Sequence, residues 1–192
     1  MTYLQFQSSE IITAAVLADT HIPDRVKHLH PGLLPALQSL HPDYIFHAGD
    51  ISHQRVLDEL RELAPVFAVR GNRDLLVSRS LPVSQELSFN GIKVYLTHGH
   101  INPYHYWRDK LENLIYGYRF DRYYKRLLSA ARGADVILFG HSHHAENRVR
   151  DAKLFFNPGS CSVAEKPDFI LSFGIIHFQP DGEVMGEIIP LD

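Results

Sequence analysis

Cysteine is all but missing from this chain. Cys161 is the only one, so no disulfide can close within it and a cytoplasmic location is expected. Long apolar runs are missing too: no stretch approaches the roughly 18 residues of a membrane-crossing helix, and no charged-then-apolar leader opens the sequence. A soluble, unexported protein with no membrane span is the expectation. A basic excess is also absent, since 19 Lys and Arg stand against 22 Asp and Glu for a net charge of −3. General nucleic-acid binding through a basic face is therefore not expected. Repeats, low-complexity tracts and linkers are lacking, and 192 residues make a single domain, residues 1–192, expected to bury roughly 70% of its unfolded surface. Histidine, by contrast, is plentiful. There are 13, and imidazole is the commonest neutral metal ligand.

Apolar periodicity divides the chain into two textures. Residues 11–18 are apolar and β-branched, as in a strand covered on both faces. Pro31 is read as opening a helix that carries Leu33, Leu34, Leu37 and Leu40. Strand Tyr44–His47 follows, then a helix with Val56, Leu57, Leu60 and Leu63 that stops at Pro65, then a strand over 66–69. This βαβαβ half implies parallel strands with right-handed crossovers. After Pro82 hairpins take over: 85–89 and Ile92–Thr97 flank Asn90-Gly91, a strong turn signal. Residues 104–131 read as mostly helical, and strands are expected over 135–139, 146–150, 153–156, 169–178 and 183–189. Residues 1–10 are a loose lead-in or an edge segment. The two halves together predict two sheets packed face to face with helices outside.

The strand ends carry the chemistry. Asp50 closes the run that begins at Tyr44. Asp19 and His21 follow residues 16–18, Asn72 follows 66–69, His98 follows 94–96, and His141 and His143 follow 136–139. Ligands of open α/β sheets lie beyond the carboxyl ends of the strands, so these clusters are expected to converge, with Asp50 at the centre. Seven donors exceed the three or four that serve one catalytic ion. Two ions sharing a bridging carboxylate would use them all, and such pairs activate water and clamp the oxygens of a phosphoryl displacement. Nitrogen and oxygen donors without thiolate suit Mn²⁺, Fe, Zn²⁺, Co²⁺ or Ni²⁺.

Asp19-x-His21, Gly49-Asp50, Gly71-Asn72-x-Asp74, His98-Gly-His100 and Gly140-His141-x-His143, in this order, resemble the signature of the calcineurin-like metallophosphoesterase superfamily. Asn157-Pro158-Gly159-Ser160 and the short length resemble its small YfcE-type phosphodiesterase branch. The resemblance runs from about Ile12 to Ser160. It implies an α/β fold, a four-layer αββα sandwich of two mixed β-sheets flanked by helices. It implies two divalent metal ions, Mn²⁺ first, with Fe, Zn²⁺, Ni²⁺ or Co²⁺ as alternatives. One ion would take Asp19, His21, Asp50 and His143, the other Asp50, Asn72, His98 and His141. The expected activity is hydrolysis of phosphodiester or pyrophosphate bonds in a small phosphorylated substrate, with Asn72, Arg73 and His100 as catalytic contacts.

Arg73 departs from the family pattern, which commonly has histidine between the Asn and the acidic residue. A guanidinium neutralises phosphate charge but is a poor proton donor. Gly71-Asn72-Arg73-Asp74-Leu75-Leu76 also resembles the sugar-nucleotide pyrophosphohydrolases, a second reading. A third is a non-catalytic scaffold for protein partners, because a retromer subunit of this fold carries a run like Asp19-Thr20-His21-Ile22-Pro23. A nuclease is disfavoured by the charge. Residues 104–124 hold six of the nine tyrosines and the only tryptophan. Trp107, Leu111, Leu114, Ile115 and Tyr118 share helical spacing. A helical insertion at about 102–119 is expected, as packing, as a cap in which Tyr104, Tyr106 and Trp107 stack on substrate with Arg108 or Arg119 near a phosphate, or as the surface of a possible homodimer.

Overall fold

The computed structural model describes residues 4–74, 80–162 and 169–191. Five strands form one mixed sheet: β2 (Ile12–Leu17), β3 (Tyr44–His47), β4 (Val66–Ala68), β10 (Ser172–Phe178) and β11 (Val184–Pro190), in the order β11-β10-β2-β3-β4. Six form the other: β1 (Leu4–Phe6), β5 (Ser84–Phe89), β6 (Ile92–Thr97), β7 (Val136–Leu138), β8 (Ala145–Arg150) and β9 (Lys153–Pro158), in the order β1-β5-β6-β7-β9-β8. β2, β3 and β4 run parallel, as do β6, β7 and β9.

Strand β2 shows why the sheets stack. Ala14 and Val16 face a core shared by both sheets, while Ala15 and Leu17 face the helices α1 (Leu33–Leu40) and α2 (Gln54–Arg61). Alternation of side chains across a strand thus feeds two cores at once. The inter-sheet core is aromatic: Phe89 stacks on Phe178 at 5.0 Å and on Phe6 at 4.9 Å. Truncating such a phenylalanine to alanine costs about 3–5 kcal/mol. On the far side, α4 (Phe120–Ala130) buries Phe120, Tyr123, Tyr124 and Leu127 against Ile137, Phe139 and Phe155. The result is a four-layer αββα sandwich.

Several boundaries differ from expectation. Pro31 sits in a turn, closed by Leu33 N–H to His30 O at 3.0 Å, and the helix proper begins at Leu33. The strand expected from 169 begins at Ser172. The helical stretch is two helices, α3 (Pro103–Tyr116) and α4, parted at Gly117, whose φ of +68° a side chain rarely adopts. The lead-in supplies an edge strand, β1, paired parallel to β5.

Candidate metal centre

Every expected donor lies just past a strand, and the backbone there is unusual. Asp19, His21, Asp50, His141 and His143 all have φ between 51° and 72°. A non-glycine residue held in this left-handed region costs of order 1–3 kcal/mol, and such strain concentrates at functional sites. Here it turns Asp19 and His21, and likewise His141 and His143, toward one point beyond the sheet. Hydrogen bonds between loops hold the bends, from Asp19 N to Gly49 O at 3.0 Å and from His21 N to Asp50 O at 2.9 Å. Asp74 clamps two loops, accepting from Ile51 N and Ser52 N through Oδ1 and from Gly71 N through Oδ2, all at 2.7–2.8 Å. Gly71 admits nothing larger, since a Cβ there would meet Asp50 Oδ1 at 2.1 Å.

The donors meet in two clusters. In the first, His21 Nε2 lies 3.1 Å from His143 Nε2, 3.7 Å from Asp19 Oδ1 and 3.9 Å from Asp50 Oδ2. In the second, Asn72 Oδ1 lies 3.0 Å from His98 Nε2 and 2.9 Å from His141 Nδ1, and Asp50 Oδ1 is 3.5 Å from His98 Nε2. Asp50 thus offers one oxygen to each. Donors about 2.0–2.2 Å from a common ion at ordinary coordination angles lie roughly 3.0–3.6 Å apart, which most of these separations match, those from His21 to Asp19 and Asp50 being slightly longer. The buried Asp19 Oδ1 accepts no hydrogen bond and faces imidazole nitrogens, the situation of a ligand atom. His98 donates its Nδ1–H to Ala48 O at 2.6 Å, which leaves the Nε2 lone pair to the cluster.

Burial and mutual charge set the protonation states. Burial raises Asp19, yet His143, His98 and His21 together hold its carboxyl below the usual range. Asp50 is driven well below that range, its burial overcome first by His98. Burial lowers His98, yet Asp50, Asp19 and the Ala48 carbonyl together push it up to about 9. Burial takes His21 down to about 4 and His100 to about 3.

Residues 12–181 match the calcineurin-like phosphoesterase superfamily domain. The chain belongs to that superfamily. A probable metallophosphoesterase of Methanocaldococcus jannaschii is 32% identical over 178 residues, covering 92% of this chain and 80% of the relative. Vacuolar protein sorting 29 of Cryptosporidium parvum superposes with a TM-score of 0.67 at 18% identity, over 94% of this chain and 98% of that one. The Entamoeba histolytica protein of that name, solved with Zn²⁺, gives 0.63 at 26% identity, over 94% and 99%.

Around these candidate donors the structure places the other expected residues variously. Arg73 N–H donates to Asp50 Oδ1 at 2.8 Å, and its guanidinium lines the cavity above the donors while paired with Asp24 at 2.5 Å. His100 lies beside the second cluster, its ring 5.3 Å from His98 and 5.7 Å from His141. His47 is a buried packing histidine bonded to Thr20 Oγ1 at 3.2 Å, Ser160 ties back to Asp19 O at 3.1 Å, and Cys161 is buried. Leu75 and Leu76, which carried the pyrophosphohydrolase resemblance, lie outside the described residues.

Helix α3 turns the opposite way from its apolar spacing. Trp107, Leu111, Leu114 and Ile115 are each more than half exposed, and so is Tyr104. The inward face is polar: Tyr106, Asp109, Lys110 and Asn113 line the cavity with Arg73 and the donors. Arg108 instead pairs with Glu112 at 3.7 Å, and Arg119 lies over Tyr116. Asp109, Lys110, Asn113 and Arg25, also on the cavity wall, are functional candidates that motif reading misses. The first three had a signal, since with Tyr106 they form a polar stripe at i, i+3, i+4 and i+7.

Proposed function

We propose that the chain is a dinuclear metal-dependent phosphoesterase that hydrolyses phosphodiester or pyrophosphate bonds in a small phosphorylated substrate. The observation that carries this reading is Asp50, whose Oδ1 faces His98 and whose Oδ2 faces His21. Asp19, His21 and His143 would complete one site and Asn72, His98 and His141 the other. Mn²⁺ is the first choice, with Fe, Zn²⁺, Ni²⁺ and Co²⁺ as alternatives, and zinc is the ion named with the Entamoeba protein. When bound, such a pair makes water nucleophilic near neutral pH and stabilises the attacking and leaving oxygens.

The chain's own residues bind and orient the ester. Arg73 neutralises phosphate charge from the cavity wall, and its pairing with Asp24 keeps it protonated despite partial burial. It offers no proton, so favoured substrates are those whose leaving groups need little protonation, such as aryl diesters or a nucleotide leaving a pyrophosphate. Asn72 orients the phosphate, with His100 as a further contact from the side of β6. We place the protein in the cytoplasm, where a lone thiol stays reduced.

The test is Asp50→Asn, which replaces a shared anion with a neutral amide. Activity on a panel of cyclic nucleotides, sugar-nucleotide pyrophosphates and aryl phosphates, assayed with several metals, should fall by orders of magnitude. At least one metal equivalent should be lost while circular dichroism stays native. Two ions still bound to a fully active Asp50→Asn protein would sink the two-metal reading. A protein scaffold is the second reading, favoured by the likeness to vacuolar sorting proteins and by the exposed row on α3. Wild-type protein inert toward the whole panel with every metal would decide for it.

A further inference from the structure

One carboxylate beside the centre belongs to none of the sequence blocks. Asp109, on α3, is 3% exposed, and its Oδ2 lies 3.6 Å from His141 Nε2. The other nitrogen of that ring, Nδ1, is the one turned inward, 2.9 Å from Asn72 Oδ1. An imidazole that gives one nitrogen to a metal carries its hydrogen on the other, and that N–H is usually held by a carboxylate or a carbonyl. His98 shows the same arrangement with Ala48 O as its acceptor.

We infer that Asp109 is a positioning residue for His141: it accepts the Nε2–H, fixes the tautomer and aims Nδ1 at the ion shared with Asp50, Asn72 and His98. This rests on the metal-centre reading above.

A plain structural staple between α3 and α4 is the competing account. Arg126 does grip the carboxylate, with Nη1 donating to Oδ1 at 2.9 Å and Nη2 lying 2.6 Å from Oδ2. The second contact lacks hydrogen-bond geometry, however, and the buried Oδ2 accepts no hydrogen bond. A buried ion pair is weak support for stability beside an apolar pair of similar volume. Asp109 is also the only buried side chain among the described residues of α3, and the helices are already joined by a second pair, Arg122 Nε to Glu112 Oε2 at 3.1 Å. What the arrangement provides is an acceptor oxygen facing the ring nitrogen that carries the hydrogen once Nδ1 is given to an ion. Arg126, resting 4.4 Å over the Tyr123 ring, compensates its charge.

The experiment titrates Mn²⁺ into the metal-free full chain by calorimetry. Wild type should take two ions. Asp109→Ala should weaken one of them about ten- to a hundredfold, the same one that His141→Ala abolishes, and leave the other unchanged. Asp109→Asn keeps an acceptor oxygen and most of the packing, so its loss should be smaller than that of Asp109→Ala. Two wild-type-like steps in Asp109→Ala, or equal weakening of both, would overturn the inference and leave Asp109 a packing residue. A wild-type chain that takes fewer than two ions would instead overturn the metal-centre reading, and this inference with it.

Discussion

Arg73 does two things from one position. Its backbone N–H fixes Asp50 Oδ1, while its side chain reaches the cavity wall and is steadied there by Asp24. Only the second depends on the guanidinium, so the two separate cleanly by mutation. Arg73→Ala should leave metal stoichiometry at the wild-type value and cost about 2–4 kcal/mol of transition-state stabilisation, the scale of one preorganised donor. Steady-state kcat/KM on an aryl diester reads this directly. Arg73→Lys should recover only part of the loss, since a point charge replaces a planar fork. Unchanged kcat/KM in Arg73→Ala would show that the Asp24 pair is the side chain's whole role.

At the scale of the element, legibility in the sequence follows range. The seven donors could be read because each sits one to four residues past a buried apolar run, and small residues such as Gly49, Gly71 and Gly140 mark the bends. The parallel half and the Asn90-Gly91 hairpin could be read for the same reason, both being local patterns. Helix α3 could be read as a helix but not as to its direction. Spacing tells which side chains share a face; it does not tell which face looks inward. Apolar stripes normally face a core, but here the neighbour is a charged cavity, so the polar stripe turns in. The Asp109–Arg126 pair spans two helices and leaves no local trace. The two faces of α3 should therefore separate in assays. Tyr106→Ala with Lys110→Ala should lower kcat/KM for a nucleotide pyrophosphate by about tenfold or more, roughly 1.4 kcal/mol, while a small aryl phosphate is hydrolysed nearly as before. Trp107→Ala with Leu114→Glu should leave both rates intact and, if the exposed row is the homodimer surface, shift sedimentation toward monomer. Parallel losses on both substrates from the inner-face pair would reduce α3 to packing.

For the whole molecule, the donor set bridges the two sheets. Asp19, His21, Asp50 and Asn72 follow β2, β3 and β4 of the five-stranded sheet, while His98, His141 and His143 follow β6 and β7 of the six-stranded one. Protein contacts already join the sheets at this rim, through His98 Nδ1–H to Ala48 O at 2.6 Å and His141 N–H to Asp19 Oδ2 at 3.0 Å. An ion held by donors from both sides would add to that seam and compensate the buried Asp19 and Asp50 carboxylates, which otherwise have only imidazoles and one backbone N–H each. Its effect on stability is set by mass action. At a free concentration a hundred times its Kd, one ion bound only by the folded chain adds about 2.7 kcal/mol. At roughly 2–4 °C per kcal/mol for a domain of this size, that raises Tm by about 5–10 °C per site. A chelator should remove the gain and excess Mn²⁺ restore it, as followed by calorimetric melting. Asp50→Asn, which weakens both sites, should show a much smaller shift in either direction. If chelator and Mn²⁺ both leave the wild-type Tm where it was, the donors do not close on an ion in solution, and the strained loops that gather them need another explanation.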